Sequence, residues 1–236
     1  MQITVEDIPV EVVRKRMKQM RLAILPPDGR VRVSAPVGTP QTVIVLFVRS
    51  KLSWIRTHQA KLAQLPAPQK NEYVSGETIF LWGKPYILRQ EACGRGGTLV
   101  LEGDQAVLRI PDGSTLQQRE HCVREWYRAQ LKEAVARYLP KWEAITGLRC
   151  TGWQSKDMKT RWGTCNTESR RIWLNVQLAK KPAACLEYVI LHELAHLKVR
   201  NHGPAFKAVL DQYMPDWRQR KQLLNDRSPD CPEETV

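Results

Sequence analysis

At 236 residues the chain is long enough for one large domain or two small ones, each with a well-buried core. No stretch is apolar over the length of a membrane span, and the charged first twenty residues hold no signal-peptide core, so neither a membrane protein nor a secreted one is expected. The 37 basic against 24 acidic side chains leave a net charge of +13, which favours polyanionic partners such as nucleic acid without requiring one.

The basic excess is strongest at the start, where Arg14-Lys15-Arg16-Met17-Lys18 reads as a solvated run. Residues 21–35 form two short alternating strands around the turn Pro27-Asp28-Gly29. A helix is expected from Pro40 to about Gln64, ended by Pro66-Ala67-Pro68. Strands follow at 78–82 and 85–90 around Gly83-Lys84, then near 98–102 and 106–110. This part is β-rich with one helix, and its His58 stands without clustered ligands. The six cysteines are scattered with no C-x-x-C pair, which suits reduced thiols in the cytoplasm better than a disulfide frame or a zinc ribbon.

A long helix is expected from Leu116 to Thr146, kinked or broken at Pro140 and capped by Gly147; His121 on it is isolated and structural. After the segment Lys159–Cys165, residues 171–178 alternate as a half-buried strand. Pro182 opens a helix with Leu186, Ile190, Leu194 and Leu197 as its core stripe. Another helix starts at Gly203-Pro204 and ends near Met214-Pro215, and a last one runs to about Asn225. No repeat or low-complexity tract is evident. The expected class is α+β: a β-rich N-terminal region (1–115), a small domain with the helix from Pro182 beside an antiparallel sheet (116–226), and a flexible tail (227–236).

Chemistry concentrates in one window, which holds three of the five histidines. Positions four apart on a helix lie nearly above one another, so His192 and His196 can offer two imidazoles to one metal ion. Glu193 is then placed to reach a metal-bound water rather than the metal, as in the H-E-x-x-H zinc hydrolases. His202 is the natural third ligand, with Asp211 a weaker alternative because its side chain is short. The spacing from His192 to His202 equals that of the metzincins, but Val199 stands where their glycine turns the chain. Asn201 and Gly203, which tolerate positive φ, are expected to supply that turn. Arg161 and Asn175 are candidates for substrate binding or oxyanion stabilisation, or else for fixing the strand to the active-site helix. The edge of the 171–178 strand is the expected place for an extended peptide.

Several ordered pieces resemble the YgjP-like metallopeptidase family, zincin-type proteins related to the SprT and WLM groups. They are Val33-Ser34-Ala35-Pro36, Phe47–Ile55, Leu81-Trp82-Gly83-Lys84-Pro85-Tyr86, Lys159–Cys165, Ile172-Trp173-Leu174-Asn175, Tyr188–His202, Gly203–Phe206 and Pro215-Asp216-Trp217. Thr160 and Thr164 stand where that family usually has serine, a hydroxyl-for-hydroxyl change. The resemblance implies a zincin-like catalytic domain, Zn²⁺ bound by His192, His196 and His202, and Glu193 as the catalytic carboxylate. The resemblance gives the site more firmly than the substrate, for which peptide or unfolded protein is the expectation. Two rival readings remain at this point. One is a metal-dependent hydrolase of phosphoanhydrides such as nucleoside triphosphates, although no P-loop is present. The other is a nucleic-acid or partner-binding module with a structural zinc.

Overall fold

The computed structural model describes residues 1–25, 28–63 and 71–225. Its contacts divide the chain into two compact units, Met1–Gln69 and Lys70–Val236. Pro27, the Pro66-Ala67-Pro68 break and the tail from Arg227 lie outside the described residues.

In the first unit β1 (Gln2–Val5), β2 (Ile8–Lys15), β3 (Arg21–Leu25) and β4 (Arg30–Pro36) form a sheet of order β1-β2-β4-β3. Strands β3 and β4 pair antiparallel, as the expected hairpin requires, and β2 pairs parallel to β4. Ile3, Val5, Ile8, Val10 and Val12 are buried at alternate positions, a signal that the flanking charges obscured in the sequence. Ile44, Val48 and Ile55 close this core. They come from two helices, α1 (Gln41–Arg49) and α2 (Leu52–Ala63), where one was expected. The break falls at Ser50, whose hydroxyl donates to Phe47 O, a local bond of the kind that competes with helical pairing.

The second unit opens with β5 (Thr78–Leu81), β6 (Lys84–Ala92), β7 (Thr98–Glu102) and β8 (Gln105–Ile110), in the order β5-β6-β8-β7. Strand β6 is parallel to β8 and the outer pairs are antiparallel, so this sheet repeats the topology of the first. The repetition extends to detail. Glu6 and Trp82 open the first turns at φ 56° and 52°, each followed at the third position by a proline, Pro9 and Pro85. Thr39 N bonds to Pro36 O and Ser114 N to Pro111 O just before the next helix. The chain therefore contains a structural repeat with no evident counterpart in the sequence, because only turn residues and apolar alternation are shared.

Helix α3 (Leu116–Thr146) follows, with a capping box between Thr115 and Gln118 and Gly147 left-handed at its end. It continues past Pro140, so of the expected kink or break there is no break. Leu88 and Leu108 from the sheet share one buried cluster with Val123 and Leu131 of α3. That shared core explains why the compact units divide at 69/70, where the sequence suggested 115/116.

A second sheet of this unit joins β9 (Gly152–Lys156), β10 (Gly163–Asn166) and β11 (Arg171–Asn175) in the order β10-β11-β9. It is mixed rather than antiparallel: β11 pairs antiparallel with β10 and parallel with β9. The expected strand to Leu178 stops at Asn175, and Val176–Lys180 winds into a 3-10 helix capped by the Asn175 side chain on Gln177 N. Helices α4 (Ala183–Ala195), α5 (Pro204–Tyr213) and α6 (Trp217–Asn225) complete an α+β fold. Among the described residues no helix is long and apolar enough to cross a membrane.

Candidate metal centre

Helix α4 is apolar nearly all round, and Leu186, Ile190 and Leu194 are buried as the stripe predicts. His192 and Glu193 occupy its last turn, and His196 caps it with helical angles, φ −62° and ψ −23°. The chain then reverses through short-range bonds: Leu197 N to Leu194 O, and Lys198 N and Val199 N to Ala195 O. This tightening of the helix end corrects the expectation of a left-handed turn. Gly203 has φ −72° and Asn201 is not among the residues of positive φ. Val199 therefore fits where the metzincins need glycine.

The reversal returns His202 to the helix. His192, His196 and His202 each offer one ring nitrogen, and these three atoms lie within 4.8 Å of one another. The Nε2 atoms of His192 and His202 are 3.0 Å apart, close to the roughly 3.3 Å between two corners of a tetrahedral zinc site with bonds of about 2.0–2.1 Å. His196 Nδ1 lies 3.3 Å from Val199 O. A carbonyl only accepts, so Nδ1 carries the proton and Nε2 keeps its lone pair. His192 Nδ1 is buried without a partner. Burial, reinforced by the other two imidazoles and Lys221, pushes His192 down to about 3, and burial also lowers His196 and His202. All three rings are thus neutral near pH 7, the form that ligates a metal.

Phe206 of α5, itself buried, holds the rings in place, with centroids 4.9, 4.8 and 4.8 Å from those of His192, His196 and His202. Nothing in the sequence period marks it, because its contacts are to another helix and a loop. Asp211, the alternative third ligand, is elsewhere engaged: its carboxylate accepts from Trp217 Nε1 and Arg218. The three imidazoles fit a divalent metal without it.

Glu193 is 4% exposed, and burial pushes its carboxyl up to about 8 against the opposing charge of Arg161. Strand β10 passes directly over it. A Cβ built on Gly163 would stand 2.6 Å from Glu193 Oε1 and 2.9 Å from both Glu193 Cγ and Val189 Cγ1. Only glycine admits that approach. Gly163→Ala is therefore expected to displace the carboxylate or β10, lowering kcat at least about tenfold with the metal retained; wild-type turnover in that variant would disprove the contact's importance. Cys165, two residues on, is driven up to about 11 by burial and by the Glu193 and Cys150 charges, so it is a thiol rather than a nucleophile.

The two candidate substrate contacts separate. Arg161 is exposed and lines the cleft above Glu193, whose volume is about 720 Å³. Asn175 is fully buried and is not among the residues lining this cleft. Its Nδ2 donates to Met158 O (2.7 Å) and Arg161 O (2.8 Å), and its backbone N to Trp162 O. Of the two expected roles the pattern fits the structural one: Asn175 pins the segment carrying Arg161. Asn175→Ala leaves two carbonyls without their donor and should cost about 1–3 kcal/mol of stability, read as a lowered unfolding midpoint. An unchanged midpoint would contradict this role. Strand β11 is also the inner strand, paired on both sides, so it has no edge for a peptide; the edge beside the centre belongs to β10.

The YgjP-like family model, described as a metallopeptidase domain, matches residues 18–227. Among solved structures the chain is similar to the metallopeptidase zymogen abylysin of Pyrococcus abyssi, at 17% identity over 45% of this chain and 99% of that one, with a TM-score of 0.37. It is also similar to the metallopeptidase zymogen jannalysin of Methanocaldococcus jannaschii, at 21% identity over 41% of this chain and 90% of that one, with a TM-score of 0.30. No curated protein matches the sequence.

Proposed function

Since the chain belongs to the YgjP-like family of metallopeptidase domains, we propose that it is a zinc-dependent peptidase with His192, His196 and His202 as ligands and Glu193 as general base. The observation that carries this reading is the set of three imidazoles, each offering one nitrogen within 4.8 Å of the others, beside a buried carboxylate. Three protein ligands of this type leave a coordination position open, as catalytic zinc sites do and structural ones do not. Zinc held there would acidify water and polarise a carbonyl.

The chain's own residues supply the rest. Glu193, kept ionised where a cation sits beside it, takes a proton from the attacking water on one carboxylate oxygen and returns it to the leaving amine. Arg161, facing Glu193 across the cleft, binds substrate, and Asn175 positions it through the backbone. An extended peptide pairs with the free edge of β10, where Gly163 brings the chain close to the base. The free thiols of Cys93, Cys122, Cys150, Cys165 and Cys185 suit a cytoplasmic setting.

The cations around the cleft favour one second reading, phosphoanhydride hydrolysis. Chelator-stripped and zinc-restored protein assayed on a broad peptide library and on nucleoside triphosphates separates the two. Peptide cleavage that disappears on chelation and returns with zinc is expected. Phosphate release from nucleotides with no peptide cleaved would overturn the proposal.

A further inference from the structure

Four cationic side chains converge on the cleft from four separate segments: Arg161 before β10, Arg200 after α4, Lys207 on α5 and Lys221 on α6. All four are exposed, and none forms an ion pair among the described residues. Their neighbours contrast with them. Arg218 is neutralised by Asp211, Arg220 by Asp216 and Lys141 by Glu187, all outside the cleft lining. Lys207 feels Asp211 only at a distance, since that carboxylate is bound to Arg218. Among the described residues lining the cleft, Glu193 is the one carboxylate, and it is buried. Lys221 lies near enough to His192 and His202, and Arg161 near enough to Glu193, for their charges to be felt there.

Unpaired charges of one sign around a concave surface focus potential on whatever enters it. We propose that the cleft selects peptide segments with aspartate or glutamate side chains on both sides of the scissile bond. The inference rests on the peptidase reading and adds the substrate class to it. A free phosphoanhydride would meet the same cations, but it has no use for the β10 edge. The cleft also has no glycine-rich cradle: its one glycine, Gly163, is taken up by contact with Glu193.

The test uses the zinc-loaded protein and fluorogenic peptides of one neutral core flanked by Asp/Glu, by Asn/Gln or by Lys. Exposed charge contacts are individually weak, a few-fold each, so the four together should raise kcat/KM for the acidic peptide about tenfold over its amide isostere. The lysine peptide should be poorest, and raising the salt should compress the series. The double variant Arg200→Glu with Lys221→Glu should invert the order. Binding to Glu193→Gln protein, followed by fluorescence anisotropy, should show the same ranking without turnover. Equal rates across the series, a preference for lysine, or a ranking unmoved by charge reversal would overturn acidic selection while leaving the peptidase reading intact. Cleavage of no peptide of any charge, with nucleoside triphosphates hydrolysed, would overturn both.

Discussion

Glu193→Gln is expected to leave the protein folded and metal-binding while lowering kcat by at least about 10²-fold, the usual scale for a general base. The amide has the size of the carboxylate, so the close passage of Gly163, with its Cβ position 2.6 Å from Oε1, is preserved. Among the described residues no ion pair or hydrogen bond to the Glu193 carboxylate is lost. A carboxyl this deeply buried is costly to keep, so the variant should melt no lower than wild type. Metal content, unfolding midpoint and kcat measured together separate the outcomes. Undiminished turnover would place the proton transfer elsewhere, and loss of metal would make Glu193 a ligand instead.

His192→Ala should abolish metal binding, and with it activity. His192 is the most deeply placed of the three rings, with its Nε2 3.0 Å from that of His202 and its ring centroid 4.9 Å from that of Phe206. Removing it takes one of three ligands and opens a void beside Phe206, so a fall in stability alone would be ambiguous. The informative quantity is therefore the gain in stability on adding zinc. A ligand at a hundred times its dissociation constant stabilises the folded state by about 2.7 kcal/mol. Wild type should show a gain of that order, and His192→Ala should show none. His202→Ala, at the exposed corner of the cluster, should keep part of it. A zinc-induced shift that survives His192→Ala would refute the ligand set, and an unchanged affinity in His202→Ala would remove that residue from it.

The local parts of the centre were legible in the sequence. The helical period places His192 and His196 on one face, and the distance to His202 allows the chain to return. Hairpins at 78–110 and the helices from 116 onward follow from turn residues and apolar spacing, which act over a few residues. Where the expectations failed, a non-local partner decided. Nothing in residues 171–178 tells that β10 and β9 flank β11 on both sides, so the available edge was assigned to the wrong strand. Asn175 alternates like a surface residue, yet the carbonyls of Met158 and Arg161 meet it and draw it inside.

Gly163 and Phe206 likewise acquire their roles only when β10 crosses Glu193 and α5 meets the three imidazoles. The repeated four-stranded arrangement escaped for a related reason: a sheet's order depends on which edges pair, and many sequences with the same alternation satisfy it. Sequence alone determined which imidazoles share one helix face, because that is set by residue type and a 3.6-residue period. Which strand edge adjoins that chemistry, which polar groups stay in water, and which cations surround the cleft were decided by tertiary packing. Close approach between distant segments depends on shape and on hydrogen bonds that no short window of sequence contains.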